Sequence, residues 1–372
     1  MPRRVGGSLP PRPGTRPRRD HPIIRYEEDN RMKMPNLLKR AALAAALSTA
    51  ATLGAAEETV TLKLADQFPL THVGSRVGSQ ALIQALEERS EGRITIRHFP
   101  AEQLAKASGL LDAVRNRVTD IALVGVVYNT DKLPLTSAAE LPGLFENSVE
   151  ASKAFEKYIT TDLLEREYLP LGVRPLWGTV TPPYQLMLAE GDGIAEMSEL
   201  GGMKLRVAGA TGELIAKSMG AVPVKVPASD LYLALQRGTV NGAIYNPPSV
   251  FGYKIEEVLS AVSDNASLGA VAFALLVNED VWQSLSEEDR AVIQSVAADV
   301  RLSFTQAFET ANQKAFDKLA GAGVTVFSLP PETQAAINEN LGAVRDIWVE
   351  QVGARGLPAR EMLDAYQARL AE

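Results

Sequence analysis

The chain has 372 residues, no cysteine and a formal net charge of −7. Without cysteine, neither a disulfide framework nor a cysteine-ligated metal site is possible. An acidic chain is repelled by nucleic acid and by anionic membrane surfaces, so neither is expected as a partner.

The first 56 residues form two segments that differ from the rest. Residues 1–33 mix arginine with proline and glycine without apolar periodicity, which indicates an unstructured leader or a start site placed too early. A basic tail for nucleic acid is the alternative interpretation. Residues 34–56 have a basic start, an apolar run from Ala41 to Leu53 and small residues at the end, which is typical of a signal peptide. A periplasmic mature chain beginning near Glu57 is therefore predicted, with 27 basic and 41 acidic residues and a net charge of −14.

Strands and helices alternate along the first part of the mature chain. Apolar alternation predicts strands, and apolar spacing of three and four residues predicts helices. The predicted elements are strands at 59–66, 93–99 and 120–128, helices at 75–90, 109–117 and 149–167, and extended segments at 171–179 and 184–189. This order predicts an α/β lobe with a mostly parallel sheet, in which the almost continuously apolar strand 120–128 is central.

A second α/β unit follows. Its predicted strands are at 201–207, entered through a glycine turn, 222–226 and 240–245, with helices at 211–219 and 229–237. A strand at 271–277 is expected to return to the first lobe. We therefore assign 57–180 and 270–310 to lobe I, and 181–269 and 311–372 to lobe II with the closing helices.

One predicted helix is unusually long. It starts at a capping-box-like segment from Ser286 and meets no proline or glycine until Gly321, so it has about 34 residues and a length of about 50 Å. That length is sufficient to lie along both lobes. A further helix is predicted at 332–352.

The motifs of common enzyme chemistry are missing from the sequence. There is no P-loop, no dinucleotide fingerprint and no Gly-x-Ser-x-Gly elbow. The predicted mature chain has two histidines, His72 and His98, which are far apart in the sequence and do not form a metal-binding pair. No cofactor, no metal and no enzymatic activity are therefore expected.

Four stretches, in order, resemble the solute-binding proteins of TRAP (tripartite ATP-independent periplasmic) transporters, in the dicarboxylate-binding, DctP-like family. The resemblance covers roughly the whole chain from Glu57. The stretches are Thr61-Leu62-Lys63-Leu64-Ala65-Asp66 with the loop through His72, Gly92-Arg93-Ile94-Thr95-Ile96 through Asp120-Ile121-Ala122, Gly202-Met203-Lys204-Leu205-Arg206-Val207 with Gly220-Ala221-Val222-Pro223-Val224, and the run from Asp230 to Gly242.

The resemblance implies a type II periplasmic-binding-protein-like fold, with two lobes, a ligand cleft and a long helix spanning both lobes. It implies binding without turnover, and delivery of a small carboxylate to the TRAP membrane subunits. The arginine that matches Arg206 holds the ligand carboxylate in this family, and Asn246 matches a frequent ligand contact. The chain departs from the family in having Asn241 where aspartate is usual and in lacking a second arginine at 181–186. One arginine favours a monocarboxylate, a keto or hydroxy acid or an aromatic acid over a symmetrical dicarboxylate.

Other candidate ligand contacts come from position in the predicted fold. Gln67 and Phe68 follow the first strand, where such folds place ligand contacts. Trp177, Tyr184 and Tyr128 lie near the ends of extended segments, with ordinary core packing as the alternative. Tyr245 precedes Asn246, and neighbouring strand residues point oppositely, so one of the two is expected to face the ligand. For Arg206, the alternative is an exposed ion pair on the surface.

Two alternative functions remain open from the sequence. The first is a periplasmic binding protein that serves an ATP-driven (ABC-type) importer or a sensor. The second is a secreted α/β hydrolase or isomerase, which would turn over the bound acid.

Overall fold

The computed structural model describes residues 59–372. The predicted leader and signal peptide lie outside the described residues. Within residues 59–372, two mixed sheets are surrounded by helices, and no helix there is both long enough and apolar enough to span a bilayer.

The first sheet has five strands in the order β2-β1-β3-β10-β4. These are β1 (Val60–Ala65), β2 (Ile94–Phe99), β3 (Ile121–Gly125), β4 (Val173–Val180) and β10 (Ala272–Asn278). Strand β1 is parallel to β2 and β3, whereas β10 is antiparallel to β3 and β4. The return of the chain to this sheet through β10 is thus as predicted. The sheet is mixed rather than mostly parallel, because β10 re-enters it in the opposite direction.

The second sheet has six strands in the order β11-β9-β5-β8-β6-β7. These are β5 (Gln185–Leu188), β6 (Lys204–Val207), β7 (Val222–Lys225), β8 (Gly242–Tyr245), β9 (Ala261–Ser263) and β11 (Thr325–Phe327). Strand β6 is parallel to β7 and β8, and β5 is antiparallel to β8 and β9. The two-lobe α/β fold is therefore confirmed, while the predicted lobe boundaries stay a prediction.

The helices flank these sheets. They are α1 (Ala81–Arg89, preceded by π-helical turns at Ser75–Gln80), α2 (Leu110–Arg115), α3 (Ser148–Lys157), α4 (Ala210–Ser218), α5 (Leu231–Gln236), α6 (Glu279–Ser284), α7 (Glu287–Gly321), α8 (Pro331–Gly353) and α9 (Ala359–Leu370). Helix α9 was not predicted. Its Tyr366 packs against Phe155 and Tyr158, so it lies on α3 beside the first sheet.

Helix α7 is the predicted long helix, with 35 residues. Ser286 caps it, because its side chain accepts a hydrogen bond from the backbone N–H of Asp289. Phe304 of this helix packs against Trp177 of the first sheet at 5.4 Å. Lys318, near its end, lies 5.7 Å from the ring centre of Phe251, which belongs to the segment after β8. The helix therefore spans both sheets.

The predicted strand 120–128 is shorter in the structure, and this affects the site. Strand β3 ends at Gly125, and Val126–Tyr128 form a 3₁₀ turn. A side chain at Gly125 would lie 3.1 Å from the ring of Tyr128, so the glycine leaves room for the ring to fold back over the strand end. The turn brings Tyr128 to the edge where β1 also ends.

Candidate functional site

The loop after β1 is held by the buried carboxylate of Asp66. It accepts a hydrogen bond from the backbone N–H of Phe68 at 2.8 Å and one from the hydroxyl of Ser79, and it lies 2.7 Å from Nε2 of His98. Asp66 is fully buried, and hydrogen bonds to a buried charge are stronger than surface ones. This network fixes the backbone that carries Gln67 and Phe68.

The same three side chains argue against serine-type hydrolysis. In a catalytic triad, histidine lies between serine and aspartate and takes the serine proton. Here Asp66 lies in the middle and bonds to both Ser79 and His98. The cluster therefore anchors a loop, and its geometry does not activate a nucleophile.

Five of the eight predicted site residues line one cavity, which we call the tyrosine cavity. Its free volume is about 20 Å³, room for about one water molecule, so a ligand enters only when the wall opens. The predicted residues in its wall are Gln67, Phe68, Tyr128, Tyr184 and Tyr245. Seven further residues complete it: Val127, Thr181, Ala228, Ser249, Tyr253, Val271 and Phe273. The wall therefore combines segments that follow strands of both sheets.

Aromatic rings dominate the wall of the tyrosine cavity. Phe68 stacks on His72 at 4.3 Å and tilts against Phe273 at 5.4 Å, and Tyr184 meets Tyr245 edge-on at 6.1 Å. Such rings offer large apolar surfaces with fixed geometry. The wall thus offers a surface suited to an apolar or aromatic ligand body.

His72 supports this wall as a neutral side chain. Burial lowers its pKa to about 3, and the nearby charge of Arg76 acts in the same direction. Its Nδ1 accepts a hydrogen bond from the backbone N–H of Gly74 at 2.9 Å. The imidazole therefore acts as a flat ring beneath Phe68 and does not supply charge to the cavity.

Gln67 offers the tyrosine cavity an unused polar atom. Its side-chain oxygen is buried and has no hydrogen-bond partner among the described residues. Its backbone oxygen accepts from the hydroxyl of Tyr253 at 3.4 Å. Because a buried polar atom without a partner is costly, the free oxygen marks a place where a ligand donor fits.

Arg206 is a buried cation without a counter-ion in the part of the chain that the structure describes. It lies on β6 and is 1% exposed. Its Nε donates to the backbone oxygen of Val226 at 2.8 Å, while both terminal nitrogens lack a hydrogen-bond partner among residues 59–372. The burial excludes the alternative of an exposed surface ion pair. Leaving a desolvated guanidinium unpaired costs several kcal/mol, so this position is built for an anion.

Tyr245 connects Arg206 to the tyrosine cavity. The guanidinium carbon lies 5.1 Å from the centre of the Tyr245 ring, in a cation–π contact. Arg206 itself does not line the cavity, whereas Tyr245 does. Burial raises the pKa of Tyr184 and Tyr245 well above the usual value, and the charge of Arg206 opposes this shift in both.

Besides Arg206, two predicted residues do not line the tyrosine cavity. Trp177 is buried on β4 and packs against Phe304, so it belongs to the core between the first sheet and α7. Asn246 follows β8, and both ends of its amide are engaged. Its Nδ2 donates to the backbone oxygen of Pro182 at 3.4 Å, and its Oδ1 accepts from the hydroxyl of Ser249 at 3.0 Å. Of the Tyr245–Asn246 pair, the tyrosine is the residue that lines the cavity.

Sequence reasoning missed several residues of this region. Tyr253 lies just after the 3₁₀ segment Pro247–Gly252, where no periodic pattern indicates its direction. Phe273 lies on β10, whose continuous apolar run hides which face is the site. Glu140 was also missed, although a single carboxylate within an apolar stretch was a visible signal.

The described residues contain no group of three or more histidine or carboxylate side chains placed to hold a metal ion. The chemistry available at the site is therefore that of an arginine, an amide oxygen and phenols around an apolar space.

Comparisons with known proteins show the family of the chain. The family model for bacterial extracellular solute-binding proteins, family 7 (DctP), matches residues 75–351. The chain is 26% identical to the C4-dicarboxylate-binding periplasmic protein DctP of Rhodobacter capsulatus, over 85% of this chain and 94% of that protein.

Solved structures show the same fold. A TRAP solute-binding protein from Rhodoferax ferrireducens, in complex with copurified benzoate, has a TM-score of 0.78 at 22% identity, over 84% of this chain and 98% of that one. A marine metagenome TRAP solute-binding protein specific for aromatic acids, in complex with 3-hydroxybenzoate, has a TM-score of 0.77 at 24% identity. The match covers 84% of this chain and 98% of that one.

Proposed function

Because the chain belongs to the DctP family of bacterial extracellular solute-binding proteins, we propose that it is a periplasmic receptor for a small organic acid. It captures the acid through a salt bridge to Arg206 and delivers it to the membrane subunits of a TRAP transporter. The observation that carries this proposal is the buried guanidinium of Arg206, whose two terminal nitrogens have no partner among residues 59–372. A ligand carboxylate matches this fork of donors in a bidentate manner.

The route to Arg206 passes Tyr245. In the closed arrangement the Tyr245 ring covers the guanidinium. When the lobes open, the ring moves aside, the carboxylate reaches Arg206, and closure buries the ligand against Phe68 and Tyr128. Gly209 and Val127 meet at this closure, since a side chain at Gly209 would lie 1.9 Å from the carbonyl oxygen of Val127.

The ligand class follows from one cation and an aromatic wall. A single buried arginine balances one carboxylate, and the rings around the tyrosine cavity favour an apolar or aromatic body. The relatives described with benzoate and with 3-hydroxybenzoate support this class. Asn246 is proposed to act through Ser249, which lines the cavity and donates to the Asn246 amide.

The proposal is tested by comparing acids with uncharged analogues of the same shape. Isothermal titration with benzoate and benzamide, and with mandelate and mandelamide, measures what the carboxylate contributes. We expect at least one acid to bind about 100-fold or more tightly than its amide, because the amide leaves the Arg206 charge unpaired. Equal binding of every acid and its amide contradicts the proposal.

Delivery and lack of turnover need separate measurements. Mass spectrometry of the small molecule that copurifies with the protein should show an acid, unaltered after long incubation. Deleting the gene should abolish uptake of that acid in cells that retain the TRAP membrane subunits. Conversion of the acid by the purified protein contradicts the receptor function.

A further inference from the structure

Glu140 is a buried carboxyl group that the proposed function does not use. It ends the 3₁₀ segment Thr136–Glu140 and is 1% exposed. Its Oε1 accepts from the backbone N–H of Ala272 at 3.1 Å, while its Oε2 has no partner among the described residues. Half of the carboxyl group is therefore buried with its hydrogen-bonding capacity unmet.

The free oxygen belongs to a residue that lines a second cavity, which we call the Glu140 cavity. Its free volume is about 20 Å³, room for about one water molecule. Val127, Tyr184 and Val271 line both this cavity and the tyrosine cavity, so the two spaces are neighbours on either side of shared side chains. Beside the Tyr184 ring, the second space has room for a single oxygen atom of a ligand whose body lies in the first.

We propose that the Glu140 cavity is a second subsite for the acid, in which protonated Glu140 donates a hydrogen bond from Oε2 to an uncharged oxygen of the ligand. The preferred substrates are then acids that carry a keto or similar acceptor oxygen at the end remote from the carboxylate. This inference rests on the proposed function, because Arg206 holds the carboxylate that orients the other end.

The protonation state follows from the surroundings of Glu140. Burial raises its pKa to about 8, against the hydrogen bond from the backbone N–H of Ala272 and the favourable effect of the nearby backbone N–H of Val127. The titratable side chain that faces it is Tyr184, which is itself kept neutral by burial. Arg206 faces Tyr184 from the β6 strand. At neutral pH, Glu140 therefore holds a proton on a carboxyl group that is able to donate.

The start of α4 selects an acceptor over a cation. Thr211 and Gly212, in its first turn, line the Glu140 cavity. The N–H groups of a first turn lack intrahelical partners, and this end of a helix carries partial positive charge. That charge disfavours an ammonium group. The residues that line the cavity include no lysine or arginine, so a second carboxylate would be buried there without a counter-ion.

The test compares keto acids with acids of the same shape that lack the oxygen. The probes are 4-oxopentanoate against 4-methylpentanoate, and 3-acetylbenzoate against 3-isopropylbenzoate. Titration calorimetry of the full chain at pH 7 should show tenfold or tighter binding of the keto acid in at least one pair. In wild type this preference should vanish above pH 8, where Glu140 ionises, while the probe carboxylates stay ionised throughout.

Three variants separate the role of Glu140 from folding. E140Q keeps a donor of similar shape, so it should retain the preference at pH 7 and lose its pH dependence. E140M fills the space without a donor, so the preference should fall to threefold or less. The control is E156Q. Burial also raises the pKa of Glu156, but this residue lines neither cavity. The preference of E156Q for the keto acid should match that of wild type.

The outcomes distinguish this inference from the proposed function. If benzoate, mandelate or these acids bind but neither keto acid is preferred, the second subsite is wrong and the acid receptor stands. Tighter binding of 3-(aminomethyl)benzoate or of benzene-1,3-dicarboxylate than of 3-acetylbenzoate also overturns it, because those results require an ionised Glu140 or a second anion site. If no acid is bound, the proposed function fails and the subsite fails with it.

Discussion

The guanidinium carbon of Arg206 lies 5.1 Å from the ring centre of Tyr245, and the two terminal nitrogens of Arg206 are buried without a hydrogen-bond partner among residues 59–372. The ring gives partial compensation to the charge, since a cation–π contact is worth about 2 kcal/mol when desolvated. It does not replace a counter-ion. The native state without ligand therefore carries an electrostatic cost that the proposed carboxylate ligand would remove.

Closure of the two lobes is tested at Gly209. A Cβ there would lie 1.9 Å from the carbonyl oxygen of Val127, and backbone atoms cannot yield that space. We expect G209A to hold the lobes apart and to weaken acid binding at least tenfold. The control is G342A, because Gly342 lies within α8 with no atom near its Cβ position and alanine favours helix. Equal affinity of G209A and wild type, measured by calorimetry, would show that closure does not need this contact.

The Asp66 network is expected to support both folding and binding. D66N removes the charge that receives the bonds of Ser79, His98 and the Phe68 backbone. The free energy of unfolding should fall by about 2–3 kcal/mol, in line with charged hydrogen bonds. Acid affinity should fall as well, because the loop that carries Gln67 and Phe68 loosens. D299N is the control, since Asp299 is an exposed partner of Arg89; urea unfolding of both variants gives the comparison.

Glu140 makes the free energy of unfolding depend on pH between about 4.5 and 8. Its pKa is about 8 in the folded state against 4.5 when solvated, so the folded state binds the proton more tightly. Its contribution is complete below pH 4.5 and is lost as pH rises towards 8. E140Q should flatten the fall in unfolding free energy between pH 5 and pH 8.5. A wild-type slope that persists in E140Q would place its origin elsewhere.

His72 makes the free energy of unfolding depend on pH in the opposite sense, in the acid range. Its pKa is lowered from 6.5 to about 3, so the unfolded chain takes up a proton that the folded chain refuses. Stability is therefore lost as pH falls from 6.5 towards 3. Nuclear magnetic resonance of the imidazole should show neutral His72 at pH 5. A titration midpoint near 6.5 would mean that the ring is solvated and does not support Phe68 as described.

The sequence predicted the elements better than the directions of their side chains. The apolar alternation of β1 and the uninterrupted pattern of α7 depend on local periodicity, so both were predictable. Trp177 and Tyr184 were indistinguishable because each lies near a strand end, and only the packing of α7 on β4 assigns Trp177 to the core. Helix α9 was missed although its buried Met362, Leu363 and Tyr366 have helical spacing.

The site was predictable only where one residue type implied one chemistry. Arg206 was singled out because a family motif surrounds it, and its role as the carboxylate anchor stays a prediction. Glu140 was not, because its environment is created by Ala272, 132 residues further along the chain. The mixed character of the first sheet was also not predictable from local sequence, since the direction of β10 depends on where the chain re-enters the first lobe.

The most direct test of the account is thermal unfolding of wild type and R206M, each with and without the acid that binds wild type most tightly. Without acid, R206M should unfold at the same temperature or higher, because the unpaired charge is gone. Saturating acid should raise the wild-type midpoint, as a ligand specific for the native state must, and leave R206M unchanged. R174M is the control: it breaks the pair with Glu279 and should lower the midpoint while keeping the response to acid. An equal response of R206M and wild type would contradict the anchoring role of Arg206.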